Sequence, residues 1–160
     1  MTNREIAAVL FNISTILSTQ NGNPYRIRAY RRAARNLLRM REQIAQRVAA
    51  GKPLGLPRLG KSLTAKISTL ASKDALQFYE DLCDELPFEE RALLKLNVPG
   101  LGPTIAARIH RDLGPTDAVS LRRAAATGKL QQVWGIGPKR VAAILHAVGG
   151  IDARQERMEI

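Results

Sequence analysis

Apolar residues recur at helical spacing along most of the chain. After Thr2 and Glu5, one helical face is apolar, with Ile6, Val9, Leu10, Ile13 and Leu17. Thr2 and Glu5 predict a capping box, because the hydroxyl accepts from an orphan amide while the carboxylate accepts from the N-cap amide. No segment shows the sustained alternation of apolar and polar residues that a half-buried strand requires. The pattern therefore predicts an all-α fold.

A second helix is predicted after the Asn-Gly-Asn-Pro break at residues 21–24, with Pro24 in its first turn. One stripe of this helix is apolar and predicts an inward face, formed by Ile27, Tyr30, Ala34, Leu37 and Leu38. The other stripe, called the basic ridge below, consists of Arg28, Arg32, Arg35 and Arg39. A third helix is predicted from about Met40 to Ala50, ending at Gly51.

Three segments repeat one pattern without gaps: LPRLGKSLTAKI at 56–67, VPGLGPTIAARI at 98–109 and VWGIGPKRVAAI at 133–144. Each has a turn between apolar residues, then a glycine, then a helical stretch. The first turn position holds Arg58, Gly100 and Gly135, and the second holds Gly60, Gly102 and Gly137. Glycine allows positive φ and a close approach of other groups. Each copy therefore predicts a helix, a hairpin and a second helix whose N-terminal amides suit a phosphate oxygen.

The charge of the chain is concentrated in one part. The 160 residues carry a net charge of +11, and 45% of them are hydrophobic, as in a folded protein. Residues 22–73 hold nine arginines and four lysines against Glu42 alone, whereas residues 74–97 are acidic. This surplus indicates a polyanionic partner, because neutralised phosphates release condensed counterions. The alternative is a basic face that serves solubility alone. With only 4% aromatic residues, large stacking platforms for single-stranded bases are not expected.

Several classes of protein are not expected. The longest apolar run, Ile6 to Phe11, is far shorter than the ~20 residues that span a bilayer, so no membrane partner is expected. The N-terminus has no cleavable signal pattern. Cys83 is the single cysteine, which excludes an internal disulfide. A cytoplasmic location, with the nucleoid of a bacterium, is the expectation.

The three copies resemble the helix-hairpin-helix DNA-binding motif. Together with NPYRIRAYRRAA at 23–34, residues 3–148 resemble the N-terminal region of bacterial X-family (polymerase-beta-type) DNA polymerases. The resemblance implies SAM-like helical bundles: an eight-kilodalton-like domain with the first hairpin at 1–86, a tandem helix-hairpin-helix domain at 87–150, and a tail at 151–160. Only twelve residues follow Val148 and no Asp-x-Asp pair occurs, so a polymerase, which needs carboxylates for two-metal chemistry, is not expected.

The resemblance also implies which residues bind DNA. Backbone phosphates would lie on the amides of Gly100, Gly102, Thr104 and Ile105 in the second copy and, by the internal repeat, on those of Gly135, Gly137, Lys139 and Arg140 in the third. Further DNA contacts are expected from Arg26, Arg28, Arg32, Arg35, Arg58, Gly60, Lys61, Ser62 and Arg108. The alternative is that the hairpins only pack pairs of helices together.

A monovalent cation is the one cofactor that the resemblance suggests. A sodium or potassium ion would be held by the hairpin carbonyls of Leu96, Val98 and Leu101, and in the first copy by those of Leu54, Leu56 and Leu59. Arg58 stands in the first copy where the other copies have glycine, which makes that cation site the weaker match.

The same resemblance raises the alternative of an enzyme. In the family the eight-kilodalton domain can remove a 5′-deoxyribose phosphate through a lysine Schiff base, and Lys66 occupies that place, with Tyr30 and Arg26 matching a site tyrosine and a phosphate ligand. Two observations favour a plainer role. The corresponding residue of the second copy is Arg108, which indicates phosphate contact without chemistry, and Tyr30 lies on the apolar stripe.

The function predicted from the sequence is a DNA-binding protein that grips the phosphate backbone independently of base sequence, in DNA repair or maintenance. Copies two and three are expected to form a pseudo-symmetric pair across a minor groove of duplex, nicked or gapped DNA. The first copy and the basic ridge would hold a separate segment, such as a 5′ end, a gap or a bend. The alternatives are a stand-alone abasic-site lyase, or an accessory protein that coats DNA or recruits a separate repair polymerase or nuclease. RNA is also a possible partner, because hairpins that grip phosphates do not exclude it.

For Trp134, both packing across its hairpin and contact with the DNA sugar edge are consistent with the sequence.

Overall fold

A computed structural model of the chain describes residues 1–98, 100–114 and 117–158, with side chains up to residue 149. All regular secondary structure within these ranges is helical, which confirms the predicted all-α class. The chain divides into two compact units, Met1–Glu85 and Leu86–Ile160, and each is described by itself. No helix in the described part of the chain has the length and apolar character needed to cross a membrane.

The first unit is built around its N-terminal helix. Its helices are α1 (Asn3–Thr19), α2 (Pro24–Arg39), α3 (Ile44–Ala49), α4 (Lys61–Lys73) and α5 (Gln77–Asp84). Helix α1 begins at the predicted capping box of Thr2 and Glu5, with both hydrogen bonds present. It is buried nearly all round, because α2, α4 and α5 all pack against it. This helix therefore forms the core on which the first hairpin is mounted.

One polar pair is buried inside this core. Asn12 on α1 donates from Nδ2 to the Tyr79 hydroxyl on α5 at 2.9 Å. Burial raises the pKa of Tyr79, since a phenolate is poorly solvated there, and the neighbouring Cys83 raises it further. Tyr79 thus stays neutral, and its hydrogen bond fixes α5 against α1.

Two local predictions differ from the structure. Helix α3 begins at Ile44 rather than near Met40, because the Asn3 side chain accepts the Ile44 amide hydrogen at 2.8 Å and so caps the helix from α1. Leu38 was predicted on the inward face of α2 but is 50% exposed. Leu37 takes the buried position, and the next residue lies about 100° further round the helix.

The second unit consists of two helix pairs. Its helices are α6 (Phe88–Leu94), α7 (Pro103–Leu113), α8 (Ala118–Ala126) and α9 (Pro138–Met158), with a 3₁₀ turn at Leu130–Gln132 before the last hairpin. Helix α6 packs on α7, and α8 packs on α9. Residues 151–158, assigned to a tail from the sequence, continue α9 without a break, and residues 159 and 160 lie outside the described residues.

Candidate nucleic-acid interface

The first hairpin connects α3 to α4. Its backbone turns at Gly55 and Arg58, which have φ values of +75° and +54°, and Gly60 is the N-cap of α4. The first helical donor is the amide of Thr64, which bonds the Gly60 carbonyl at 3.0 Å. The preceding amides of α4, including those of Lys61 and Ser62, have no acceptor within the helix. Arg58 thus keeps the left-handed turn that glycine makes in the other two copies, and its side chain is exposed.

The start of α4 is open to a ligand. A Cβ added at Gly60 would meet no other atom within 4 Å, and the side chains of Lys61 and Ser62 are exposed. Amides at a helix N-terminus carry partial positive charge, and Lys61 adds a full charge beside them. This arrangement can accept a phosphate oxygen without moving the protein.

The basic ridge lies on the same unit. The side chains of Arg28, Arg32, Arg35 and Arg39 are all exposed along α2. Arg31 is different, because it is partly buried and donates to the Ser14 hydroxyl at 3.3 Å. The ridge therefore presents a row of exposed cations, which suits contact with a polyanion.

Lys66, Arg26 and Tyr30 come together on α4 and α2. The ring of Phe78, from α5, lies 4.7 Å from the Lys66 Nζ and 5.2 Å from the Arg26 Cζ. The Arg26 Cζ is also 6.0 Å from the ring centre of Tyr30, which is buried. Lys66 donates to the Ser62 hydroxyl at 2.7 Å. Two cations thus share one aromatic ring, and no motif or spacing in the sequence points to Phe78 as a member of this cluster.

The second and third hairpins have nearly the same backbone. Gly100 and Gly135 have φ values of +85° and +89°. Gly102 and Gly137 precede Pro103 and Pro138, which begin α7 and α9, and their carbonyls accept from the amides of Ala106 and Val141. The amides of Thr104 and Ile105, and those of Lys139 and Arg140, therefore lie in first turns without an acceptor in the helix. These are four of the eight amides that are expected to hold phosphate, and the other four belong to Gly100, Gly102, Gly135 and Gly137.

Each of these two hairpins packs against the helix of the other. A Cβ added at Gly135 would lie 3.1 Å from the Ile105 Cδ1, and one added at Gly100 would lie 3.3 Å from the Arg140 Nε. Ile105 and Arg140 are equivalent positions of the repeat, as are Gly100 and Gly135. The contacts are therefore reciprocal, as pseudo-two-fold packing of the two copies requires. The close approach is to side chains rather than to another backbone.

Two arginines connect the paired hairpins. Arg140 donates from Nε to the Gly100 carbonyl at 2.7 Å and from Nη1 to the Gly135 carbonyl at 2.5 Å. Arg108 donates from Nη1 to the Trp134 carbonyl at 3.4 Å. One guanidinium thus joins both turns, and a second supports the third hairpin from α7. The Arg140 side chain is engaged in these bonds, so its amide rather than its guanidinium is the group available to a phosphate.

Trp134 lies at the tip of the third hairpin. Its side chain is 72% exposed, and the guanidinium of Arg108 lies over the ring with its Cζ 4.3 Å from the centroid. Of the two roles that the sequence left open, burial across the hairpin does not occur. The ring is covered on one side by an arginine and is otherwise largely exposed.

Helix α8, which packs on α9 of the third hairpin, begins with a side-chain N-cap. Asp117 accepts at 2.7 Å from both the amide and the hydroxyl of Ser120, at the start of α8. These hydrogen bonds favour the carboxylate and lower the pKa of Asp117. Its charge also lies at the positive end of the helix dipole.

The carbonyls assigned to a monovalent cation are neutral oxygen donors, which is the chemistry that sodium and potassium prefer. The Val98 carbonyl accepts from the Leu101 amide at 3.0 Å. Because a carbonyl oxygen has two acceptor sites, this bond leaves one for a cation. The donor chemistry of these residues is therefore compatible with such an ion.

Comparison with known proteins follows the same division of the chain. Residues 1–76 match the family model of a helix-hairpin-helix domain, and residues 90–149 match that of the SAM-like helix-hairpin-helix tandem. The chain is 29% identical over all of its 160 residues to 27% of the DNA polymerase/3'-5' exonuclease PolX of Bacillus subtilis (strain 168). Over 86 residues, 52% of this chain, it is 34% identical to 42% of the Holliday junction branch migration complex subunit RuvA of Solibacter usitatus (strain Ellin6076).

The chain spans about a quarter of the first relative and about two fifths of the second. The similarity of this chain to the two relatives therefore extends only to their hairpin-bearing parts. Two matched helix-hairpin-helix regions and full-length similarity to the polymerase segment agree with the hairpins seen in the structure. The chain is a helix-hairpin-helix protein that resembles the N-terminal region of X-family DNA polymerases.

Proposed function

We propose that this protein binds DNA by gripping the phosphate backbone at its three hairpins, largely independently of base sequence. The observation that carries the proposal is the open start of the helices. A Cβ added at Gly60 or Gly137 meets nothing within 4 Å, next to exposed Lys61 and Lys139. A helix that begins in open space with free amides and a flanking cation can hold a phosphate oxygen. The DNA polymerase and the Holliday junction subunit found as relatives support DNA as the polyanion.

Phosphate contacts of this kind give position but carry no sequence information. The tandem hairpins would hold the two strands of a duplex segment, and the first hairpin with the basic ridge would hold a further segment. A sodium or potassium ion on the carbonyls of Leu96, Val98 and Leu101 would add positive charge beside the second hairpin. A role in DNA repair or maintenance beside a separate polymerase or nuclease, with the nucleoid as its location, fits such a protein.

The test is a titration of fluorescent duplexes of unrelated sequence at several salt concentrations. We expect similar affinities for the different sequences and a logarithm of the association constant that falls linearly with the logarithm of salt concentration. An affinity that barely changes with salt would overturn the proposal. A strong preference for one sequence would contradict the phosphate-backbone mode.

A second candidate function is supported by the cluster around Phe78. Lys66 on α4 and Arg26 on α2, which are 40 positions apart in the sequence, meet at this ring, and the Arg26 guanidinium also lies over the ring of Tyr30. In lyase chemistry a neutral lysine amine adds to the aldehyde of an abasic sugar, and loss of water gives an imine. Removal of the C2′ proton then expels the 3′ phosphate, and water hydrolyses the imine to regenerate the amine. Arg26 would hold the 5′ phosphate during these steps.

Borohydride trapping on abasic DNA separates this chemistry from phosphate contact. If Lys66 forms the imine, the wild-type protein becomes covalently attached, whereas Lys66→Arg keeps its positive charge and its DNA affinity but is not trapped. Lys61→Arg, on the same helix, is the matched control and should be trapped like the wild type. Equal trapping of Lys66→Arg, or no trapping at all, would exclude the lyase assignment and leave Lys66 as a phosphate contact.

A further inference from the structure

The exposed Trp134 is a feature of the third hairpin that phosphate gripping does not use. Its position in the repeat is occupied by Pro57 and Pro99 in the other copies. Trp134 is nevertheless 72% exposed, although indole is one of the largest apolar groups a protein can bury. An exposed indole presents a flat aromatic face on which a planar ligand can stack.

The indole is held in place rather than left to move on a loose loop. Its neighbours Val133 and Ile136 are buried, and the Ile136 amide bonds the Val133 carbonyl at 3.1 Å. Arg108 donates to the Trp134 carbonyl and places its guanidinium over the ring, 4.3 Å from the centroid. A cation over one face of an indole is attractive and fixes the plane of the ring. A ligand that stacks on the open side therefore meets a surface that is already ordered.

The surroundings of the ring favour a nucleic-acid base as that ligand. Gly135 and Gly137 follow Trp134 directly, and the exposed Lys139 lies in the first turn of α9. A group bound at this hairpin by its phosphate would place its own base or sugar near the indole. In intact duplex DNA the faces of the bases are hidden in the stack, whereas a gap leaves a base face open. Stacking of such a face on an aromatic side chain is independent of base identity.

We propose that Trp134, supported by Arg108, stacks on a base exposed at a gap in duplex DNA, so that the second unit distinguishes interrupted from intact duplex. This inference rests on the proposed function, since the hairpin must bind the phosphate for the ring to reach the base. The third hairpin then prefers gapped DNA by itself, in addition to any preference for gapped DNA that the first hairpin and the basic ridge confer.

The test uses the full chain and two DNA circles, neither of which has a duplex end. One is a closed duplex circle, and the other is the same circle with one nucleotide removed from one strand. Trp134 is the single tryptophan of the chain, so its fluorescence reports this ring alone. We expect quenching by the gapped circle but not by the closed one, and about tenfold tighter binding of the gapped circle. Trp134→Ala should lose this preference, and Trp134→Phe should retain part of it.

Tyr25→Ala is the matched control. Tyr25 is 78% exposed and has Arg28 over its ring at 4.8 Å, but it lies in the first unit. This variant should keep the preference that depends on Trp134. Circular dichroism melting should show unchanged folding in Trp134→Ala, because the side chain is largely exposed.

The possible failures are distinguishable. Binding of neither circle at low salt would overturn the proposed function, and this inference with it. Equal binding of both circles without a change of fluorescence would overturn the inference alone. An equal loss of affinity for both circles in Trp134→Ala would also overturn it, because that result indicates contact with the sugar edge of any duplex.

Discussion

The first hairpin and the paired hairpins of the second unit make the same turn with different residues. Arg58 has a φ of +54°, whereas Gly100 and Gly135 have φ values of +85° and +89°. In the second unit the space above each glycine is occupied: an added Cβ at Gly135 would lie 2.9 Å from the Arg108 Nη1. The side chain of Arg58 is exposed. Glycine thus avoids both backbone strain and crowding where two hairpins pack together, whereas the turn alone tolerates an arginine.

The two hairpin environments also differ in charge. Residues 22–73, which include the first hairpin and the basic ridge, contain nine arginines and four lysines against one acid. The paired hairpins are less charged, but arginines brace them internally. The first region is therefore suited to attract DNA over a distance, whereas the second is suited to hold it in a fixed geometry.

The largest expected effect comes from removing the basic ridge. Replacing Arg28, Arg32 and Arg35 by glutamine should lower affinity for duplex DNA at low salt by about 100-fold and reduce the salt slope by about one per arginine. Binding titrations at several salt concentrations measure both quantities. The matched control replaces three exposed arginines outside the ridge and the hairpins, Arg4, Arg111 and Arg123. Equal losses in the two triple variants would show that only net charge matters.

The second prediction distinguishes the contribution of one hairpin to protein stability from its contribution to DNA binding. Gly135→Ala should lower the free energy of unfolding by about 2 kcal/mol, because an L-residue is strained at this φ and the Cβ displaces Arg108. Gly137→Ala should leave stability nearly unchanged but weaken DNA binding about tenfold, since its Cβ fills the space proposed for phosphate. Thermal unfolding and DNA titration of both variants test this.

Opposite behaviour of these two variants would contradict the assignment of roles. If Gly137→Ala destabilised the protein while Gly135→Ala did not, Gly137 would be the crowded position of the hairpin and Gly135 the open one. Unchanged DNA affinity in Gly137→Ala would place the phosphate elsewhere.

A smaller effect is expected at the first hairpin. Arg58→Gly should raise the free energy of unfolding by up to about 1 kcal/mol, because it removes left-handed strain from an L-residue, although glycine also gains entropy in the unfolded chain. DNA affinity should fall a few-fold with the lost cation. Chemical denaturation and titration measure the two changes. Arg58→Ala is the control, since it removes the charge without relieving the strain. A destabilised Arg58→Gly would mean that the arginine side chain makes a necessary contact.

The smallest effect concerns acid and the cap of α8. Hydrogen bonds from the Ser120 amide and hydroxyl lower the pKa of Asp117. The stabilisation from the cap is therefore complete above the unfolded pKa of about 3.9 and is lost as pH falls through the lower folded pKa. Asp117→Asn should unfold like the wild type near neutral pH, because asparagine also caps helices, and should show a weaker dependence on pH below about 4. Melting curves across this range test it, and identical acid profiles would contradict it.

The amino-acid sequence determined the features that depend on near neighbours in the chain. Helical periodicity, the capping box at Thr2 and Glu5, and the entry of Pro24 into α2 are local, and the structure shows each of them. The repeat identified the three hairpins, because a turn that precedes a helix constrains only a few adjacent residues. The exposure of the basic ridge also follows from helical spacing.

Other features were decided only by tertiary packing. Asn3 caps α3 across 41 positions of sequence, Phe78 joins Arg26 to Lys66, and Arg140 reaches the Gly100 carbonyl. Spacing along the chain carries no information about which distant side chains will meet, since that depends on how the helices pack. The exposure of Trp134 was also decided by tertiary packing, because an aromatic residue at a turn can be either buried or exposed. Here the Arg108 guanidinium lies over one side of the ring, and the side chain is largely exposed.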